Sequence, residues 1–182
     1  MVDTIMDRIK ESNVEVSSPD RNLKARVRYP GHLTLGFRPR FYPEYDEIDL
    51  RYQLEQICAV GSTEYRRNLH KIAGQSEPTG DHWDARIRRY QAEQDDLVSV
   101  GYAPSELIAV KRIGTAVWRV KLVPGVLHEL DEKTFTVEFA EAVARLLSDR
   151  EMKMIALKDK HFDLNLPAFV RKPPSPPRPV TW

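Results

Sequence analysis

A chain of 182 residues is long enough for one ordinary domain or two small ones, and 41% hydrophobic with 30% charged residues is the composition of a folded protein with a modest core. Its 28 basic and 27 acidic side chains leave a formal net charge of +1, which excludes a whole-molecule field that draws in polyanions and confines any nucleic-acid surface to a local patch. The single cysteine, Cys58, excludes an internal disulfide and a thiolate metal cluster. No run approaches the roughly 20 apolar residues of a membrane helix, and acidic Met1–Glu11 lacks a signal core, so a cytoplasmic location is expected.

Met1 to Ser12 reads as a short helix with Ile5, Met6 and Ile9 on one face. Asn13 to Ser17 is a short strand, and Ser18-Pro19-Asp20 is turn chemistry. From Asn22 to Tyr29 the alternation is clean: Leu23, Ala25, Val27 and Tyr29 point one way, Lys24, Arg26 and Arg28 the other. Pro30-Gly31 turns the chain into a third strand, His32 to Arg38, with Leu33, Leu35 and Phe37 on the buried face. Asp46 or Asp49 caps a long helix through about residue 73, with Ile48, Tyr52, Ile57, Tyr65, Leu69 and Ile72 as its stripe and Gly61 weakening it.

Gly74 to Gly80 is rich in breakers and reads as a linker. Asp81 to Asp95 predicts a polar helix, Leu97 to Tyr102 a strand, and Glu106 to Ile113 a second. Ala116 to Val123 is a third, with Trp118, Val120 and Leu122 opposite Val117, Arg119 and Lys121. Thr134 opens a helix with Phe135, Phe139, Val143, Leu146 and Leu147 inward; it is expected to end near Asp149, or to extend through Met152 to Phe162. Arg171 to Pro179 is polyproline-like.

The strand, turn and helix signals of the first half recur in the second. Val14 finds Val98 and Leu23 finds Leu107 at one common offset. Pro19 finds Pro104 one position later than that offset, and Gly31 finds Gly114 one position earlier. The expected architecture is α+β: two helix–three-strand–helix (αβββα) units in tandem, forming an internal pseudo-dimer. The first unit spans 1–73, the linker 74–80, the second unit 81–166 and a proline-rich flexible tail 167–182.

Lys24, Arg26 and Arg28 on one strand face, with Arg38 and Arg40 after the next strand and Arg21 at the turn, form the candidate phosphate-contacting surface. Arg119 and Lys121, with Lys111 and Arg112, form a weaker second copy. The competing reading of both is the solvated outer face of a half-exposed sheet. Arg86, Arg88 and Arg89, and Arg66, Arg67 and Lys71, read as structural surface charge. Cys58 reads as a small buried hydrophobe. No two histidines share a metal-binding spacing, and neither a nucleophile elbow nor a phosphate loop is present, so no metal, no cofactor and no catalysis are expected. Pro173, Pro176 and Arg178 have the spacing of a groove ligand, against a plain spacer.

The order of these elements, with Val14-Glu15-Val16-Ser17-Ser18-Pro19-Asp20 running through Leu33-Thr34-Leu35 to Asp46-Glu47, resembles the YbaB/EbfC family of bacterial nucleoid-associated proteins. Those are single-unit chains similar to DNA-binding homodimers, so a tandem copy implies an internal dimer. The resemblance implies a cytoplasmic, nucleoid-located, sequence-tolerant DNA-binding protein using Lys24, Arg26, Arg28, Arg38, Arg40, Arg119 and Lys121. Actinobacterial relatives of the fold also look like partner proteins of specialised secretion systems. The alternative is therefore a protein-interaction, scaffold or chaperone module of a secretion or regulatory complex. A homo-oligomer is compatible with either, and no membrane partner is expected.

Overall fold

The computed structural model describes residues 4–74 and 84–166. Most of the expected linker and the whole proline-rich tail lie outside them.

The described chain is α+β, with two antiparallel three-stranded sheets and helices against them. Helix α1 (Ile5–Glu11) opens on a capping box between Thr4 and Asp7, and none of its residues is buried. Strands β1 (Asn13–Ser17), β2 (Leu23–Arg28) and β3 (His32–Phe37) form a meander in the order β1-β2-β3. A single 3-10 turn, Tyr42–Glu44, leads into α2 (Glu47–Ala73). Then follow α3 (Ala85–Asp95), the second meander β4 (Val98–Tyr102), β5 (Ile108–Ile113) and β6 (Val117–Leu122), the single turn α4 (Val126–Glu129) and the long α5 (Glu132–Phe162).

Element starts recur at one constant offset. Asn13 and Val98 open β1 and β4, Leu23 and Ile108 open β2 and β5, and His32 and Val117 open β3 and β6. Glu47 and Glu132, which open α2 and α5, are separated by the same interval. The hydrogen bonds around them recur too. Ser18 N–H donates to Leu23 O and Ala103 N–H to Ile108 O; Arg38 N–H donates to Asn22 O and Val123 N–H to Leu107 O. The turn after the first strand rests on the long helix in both halves, through Asp20 N–H to Gln53 Oε1 and Ser105 N–H to Glu138 Oε2. The valine and leucine pairs read from sequence therefore shift by one position: Leu23 corresponds to Ile108, not Leu107. Leu107 is identical to Leu23 but stands one position before its structural equivalent.

Each long helix crosses between sheets. α2 lies on β1 and β2 and also on β6, whereas α5 lies on β4 and β5 and also on β3. One buried cluster results, running from Leu23, Leu50 and Leu54 through Ile108 and Val110 to Phe135, Phe139 and Leu146. Phe37, Tyr42 and Phe135 meet edge-on or tilted across it, and Tyr42 Oη donates to Leu130 O at 2.7 Å.

One detail of the helices differs from the sequence reading. The buried stripe of α2 is Leu50, Leu54, Ile57, Cys58 and Gly61, while Ile48 and Tyr52 are exposed; steps of three and four along the helix make this the face that meets the sheets. Gly61 does not break the helix, because it faces Val16, whose Cγ2 would lie 3.3 Å from an added Cβ. Of the two ends read for α5 the structure has the later, at Phe162: Asp149 pairs with Lys153 at 2.7 Å one turn on, and Leu157 is buried.

Candidate nucleic-acid interface and an inner cavity

Antiparallel register fixes what surrounds each cation of β2. Lys24 lies between Ser17 and Gly36, Arg26 between Glu15 and Thr34, and Arg28 between Asn13 and His32. All three cations are exposed, because Leu23, Ala25 and Val27 take the alternate, buried positions. Arg26 is not free to turn outward alone: its guanidinium holds Glu15 by Nε at 2.7 Å and by Nη2. That hydrogen bond, and then the charge of Arg26, hold the Glu15 carboxyl below the usual carboxylate range.

At the start of β2, beside the end of β3, the chain makes a basic cleft of about 490 Å³, lined by Arg21, Asn22, Lys24, Gly36, Phe37, Arg38 and Pro39. Arg21 reaches it from a left-handed turn position, φ 61°. Arg38 lies over the Phe41 ring at 5.0 Å, which fixes its guanidinium beside the cleft. The fold thus brings Lys24 and Arg38 together and adds Arg21. Arg26 and Arg28 run on along the strand. Arg40, at φ 72°, is exposed beyond the cleft.

Arg119 and Lys121 belong to the second sheet. Both point from its outer face, in register with Lys111 and Ala109. Arg119 faces Glu55 of α2 at 3.5 Å, and the same carboxylate accepts from Val120 N–H at 3.0 Å. Arg112 is the exception in this group. It shares the inner face of β5 with Ile108 and Val110, and the strand's alternation requires that position.

Between the two sheets, α2, α3 and α5 with the ends of β2, β3, β5 and β6 line a half-open cavity of about 840 Å³. Arg112 and Arg150 line it, with Arg66 and Arg88 also on its walls. Arg150 is only 9% exposed. Its Nη1, and Nε of Arg112, are buried without a hydrogen-bond partner among the described residues. Arg112 donates from Nη2 to Thr115 O at 2.7 Å and lies 5.2 Å from the Trp118 ring, whose Nε1 donates to Ser62 Oγ at 3.1 Å. Burial first, then the charges of Arg150 and Arg66, bring the Arg112 guanidinium down to about 10, and burial lowers Arg150 too. Cys58 also borders the cavity; it is buried as expected, and burial pushes its thiol up to about 12.

Sequence reasoning missed this cavity. Two signals marked it: a cation in the inward phase of Ile108-Val110-Arg112, and another one turn after Leu146 on the apolar stripe of α5.

Among the described residues no helix is long and apolar enough to cross a membrane. The chain matches no protein-family model, no curated protein and no solved structure.

Proposed function

We propose that the chain is a non-catalytic, sequence-tolerant DNA-binding protein of nucleoid-associated type, built as an internal pseudo-dimer of two YbaB/EbfC-like αβββα units. The constant offset between equivalent strands and the crossing of each long helix onto the other sheet support the pseudo-dimer. The observation that carries the DNA reading is the cleft at the start of β2, which has Arg21, Lys24 and Arg38 and no carboxylate among its described walls. It continues into Arg28 along an open sheet face. Guanidinium and ammonium groups attract phosphates and supply no general base, so the surface suits backbone contact and not chemistry. Glu15 offsets part of the charge of Arg26, which makes Lys24, Arg28 and Arg38 the main contacts. Arg119, turned toward Glu55, is secondary.

The test is fluorescence anisotropy of two unrelated duplexes across a salt series. Both should bind alike at about 50 mM salt, with a log–log slope of roughly −3 for about three or four neutralised phosphates. Replacing Lys24 or Arg38 by Ala should flatten that slope by about 1 each. Absence of binding at low salt rejects the reading.

A protein partner is favoured by one observation on the other sheet. Val98, Ile113 and Val117 stand in register across its outer face, with Val98 and Val117 42% and 41% exposed.

A further inference from the structure

We propose that the inner cavity binds a small organic anion, with Arg112 and Arg150 holding a carboxylate or phosphate-ester head and Trp118, Val143 and Leu147 meeting its apolar body. The proposal is independent of the DNA reading, since the basic cleft of the first sheet shares none of these residues.

Buried polar atoms in native proteins almost always have partners, and a buried cation without one is costly. Here two cations line one cavity, and each keeps a buried N–H group with no partner among the described residues. Arg66, from α2, adds a third positive charge to the same walls, and the only carboxylate among the described lining residues is that of exposed Asp95. With its pKa brought to about 10, Arg112 still carries its charge at neutral pH. An anion between Arg112 and Arg150 gives the two guanidinium groups a shared acceptor and offsets their mutual repulsion.

The repeat explains why the cavity is amphipathic. At the offset that relates the two halves, Val27, Leu33 and Tyr65 of the first correspond to Arg112, Trp118 and Arg150 of the second, and all six line the cavity. The first three are apolar with a phenol; their counterparts are cationic with an indole. A volume of about 840 Å³ falls in the range of roughly 300–1,000 Å³ that holds organic ligands, and exceeds what a bare inorganic anion fills.

The probe is 8-anilinonaphthalene-1-sulfonate, an aromatic anion, titrated into the full chain and displaced by decanoate, decyl phosphate, decanol or inorganic phosphate. One equivalent of probe is expected to bind. Decanoate or decyl phosphate should displace it at least tenfold more effectively than decanol or inorganic phosphate, and the better of the two names the head group. R150M and R112M keep side-chain bulk and remove the charge. Each should weaken the anions at least tenfold, leave decanol unchanged, and keep or raise Tm. Equal competition by decanol, or unchanged anion affinity in R150M, overturns the proposal; so does inorganic phosphate competing as well as decyl phosphate. If neither variant folds, the side-chain Nε–H resonances of Arg112 and Arg150 in the unaltered chain decide. Both should shift on adding the better anion, and no shift overturns the site.

Discussion

Val16 meets Gly61 where strand and helix touch in the first half, and Gly101 meets Leu146 at the corresponding place in the second. Val16 corresponds to Gly101 and Gly61 to Leu146 at the offset of the repeat, so the contact is kept while the large residue moves from strand to helix. The two glycines are not equally demanding. A Cβ on Gly101 would lie 1.9 Å from Ala142 O and 2.5 Å from Leu146 N, backbone atoms that cannot turn aside. A Cβ on Gly61 would meet only Val16 Cγ2 at 3.3 Å and Val27 Cγ2 at 3.6 Å. G101A is therefore expected to cost about 3 kcal/mol or more by overpacking. G61A should change stability by less than about 1 kcal/mol, since the gain in helix propensity offsets the tight contact. Urea denaturation of the two variants measures both, and equal losses contradict this account.

At the scale of elements, the two long helices begin on the same device. Asp46 accepts from Asp49 N–H at 2.8 Å, and Asp131 accepts from Thr134 N–H at 2.7 Å. The backbone hydrogen bond from Thr134, then its side chain, hold the Asp131 carboxyl below its ordinary 3.8. A carboxyl lowered in the folded state stabilises the fold above its unfolded pKa and loses that contribution as pH falls through the folded value. D131A should accordingly melt below the unaltered chain at neutral pH, and the gap should close as pH falls from about 4 downward. A gap independent of pH refutes the charged cap; thermal melts across that range supply the answer.

The caps were legible in the sequence because short acids before apolar runs have a local meaning: Asp46 was one of two candidates. At α5 the cap is Asp131, ahead of Thr134, where the helix was expected to open. Strands β2 and β6 were legible for the same reason, as alternation is local. What failed was set by distant partners. Leu50 and Leu54 are inward because α2 meets two sheets, and the choice between the two ends read for α5 rests on α3 and β4, which lie beside it. The stripe Lys24-Arg26-Arg28 was readable as an exposed face, but the tie of Arg26 to Glu15 and the joining of Arg21 to Arg38 needed the register and the turn. Arg112 and Arg150 were visible as charges and not as neighbours, since one lies on β5 and the other on α5, with a strand and a helical turn between them in the chain.

For the whole molecule the decisive feature is that each sheet is covered partly by the other half's helix. Trp118 of β6 donates to Ser62 of α2, Gly125 N–H to Glu47 Oε1, and Tyr42 Oη to Leu130 O. Phe135 of α5 is fully buried against Phe37 and Tyr42 of the first half. Each sheet loses part of its cover if the other half unfolds, so the halves should lose structure together. Truncating Phe135 to Ala should cost about 3–5 kcal/mol, the range for an aromatic ring removed from a tight core. The loss should appear as one transition displaced to lower denaturant, with circular dichroism and tryptophan fluorescence still coincident. If F135A instead splits the curve, so that one half melts while the other persists, the halves are independently stable domains. The crossing helices would then be a docking contact between finished units, and the single core would not be the source of stability.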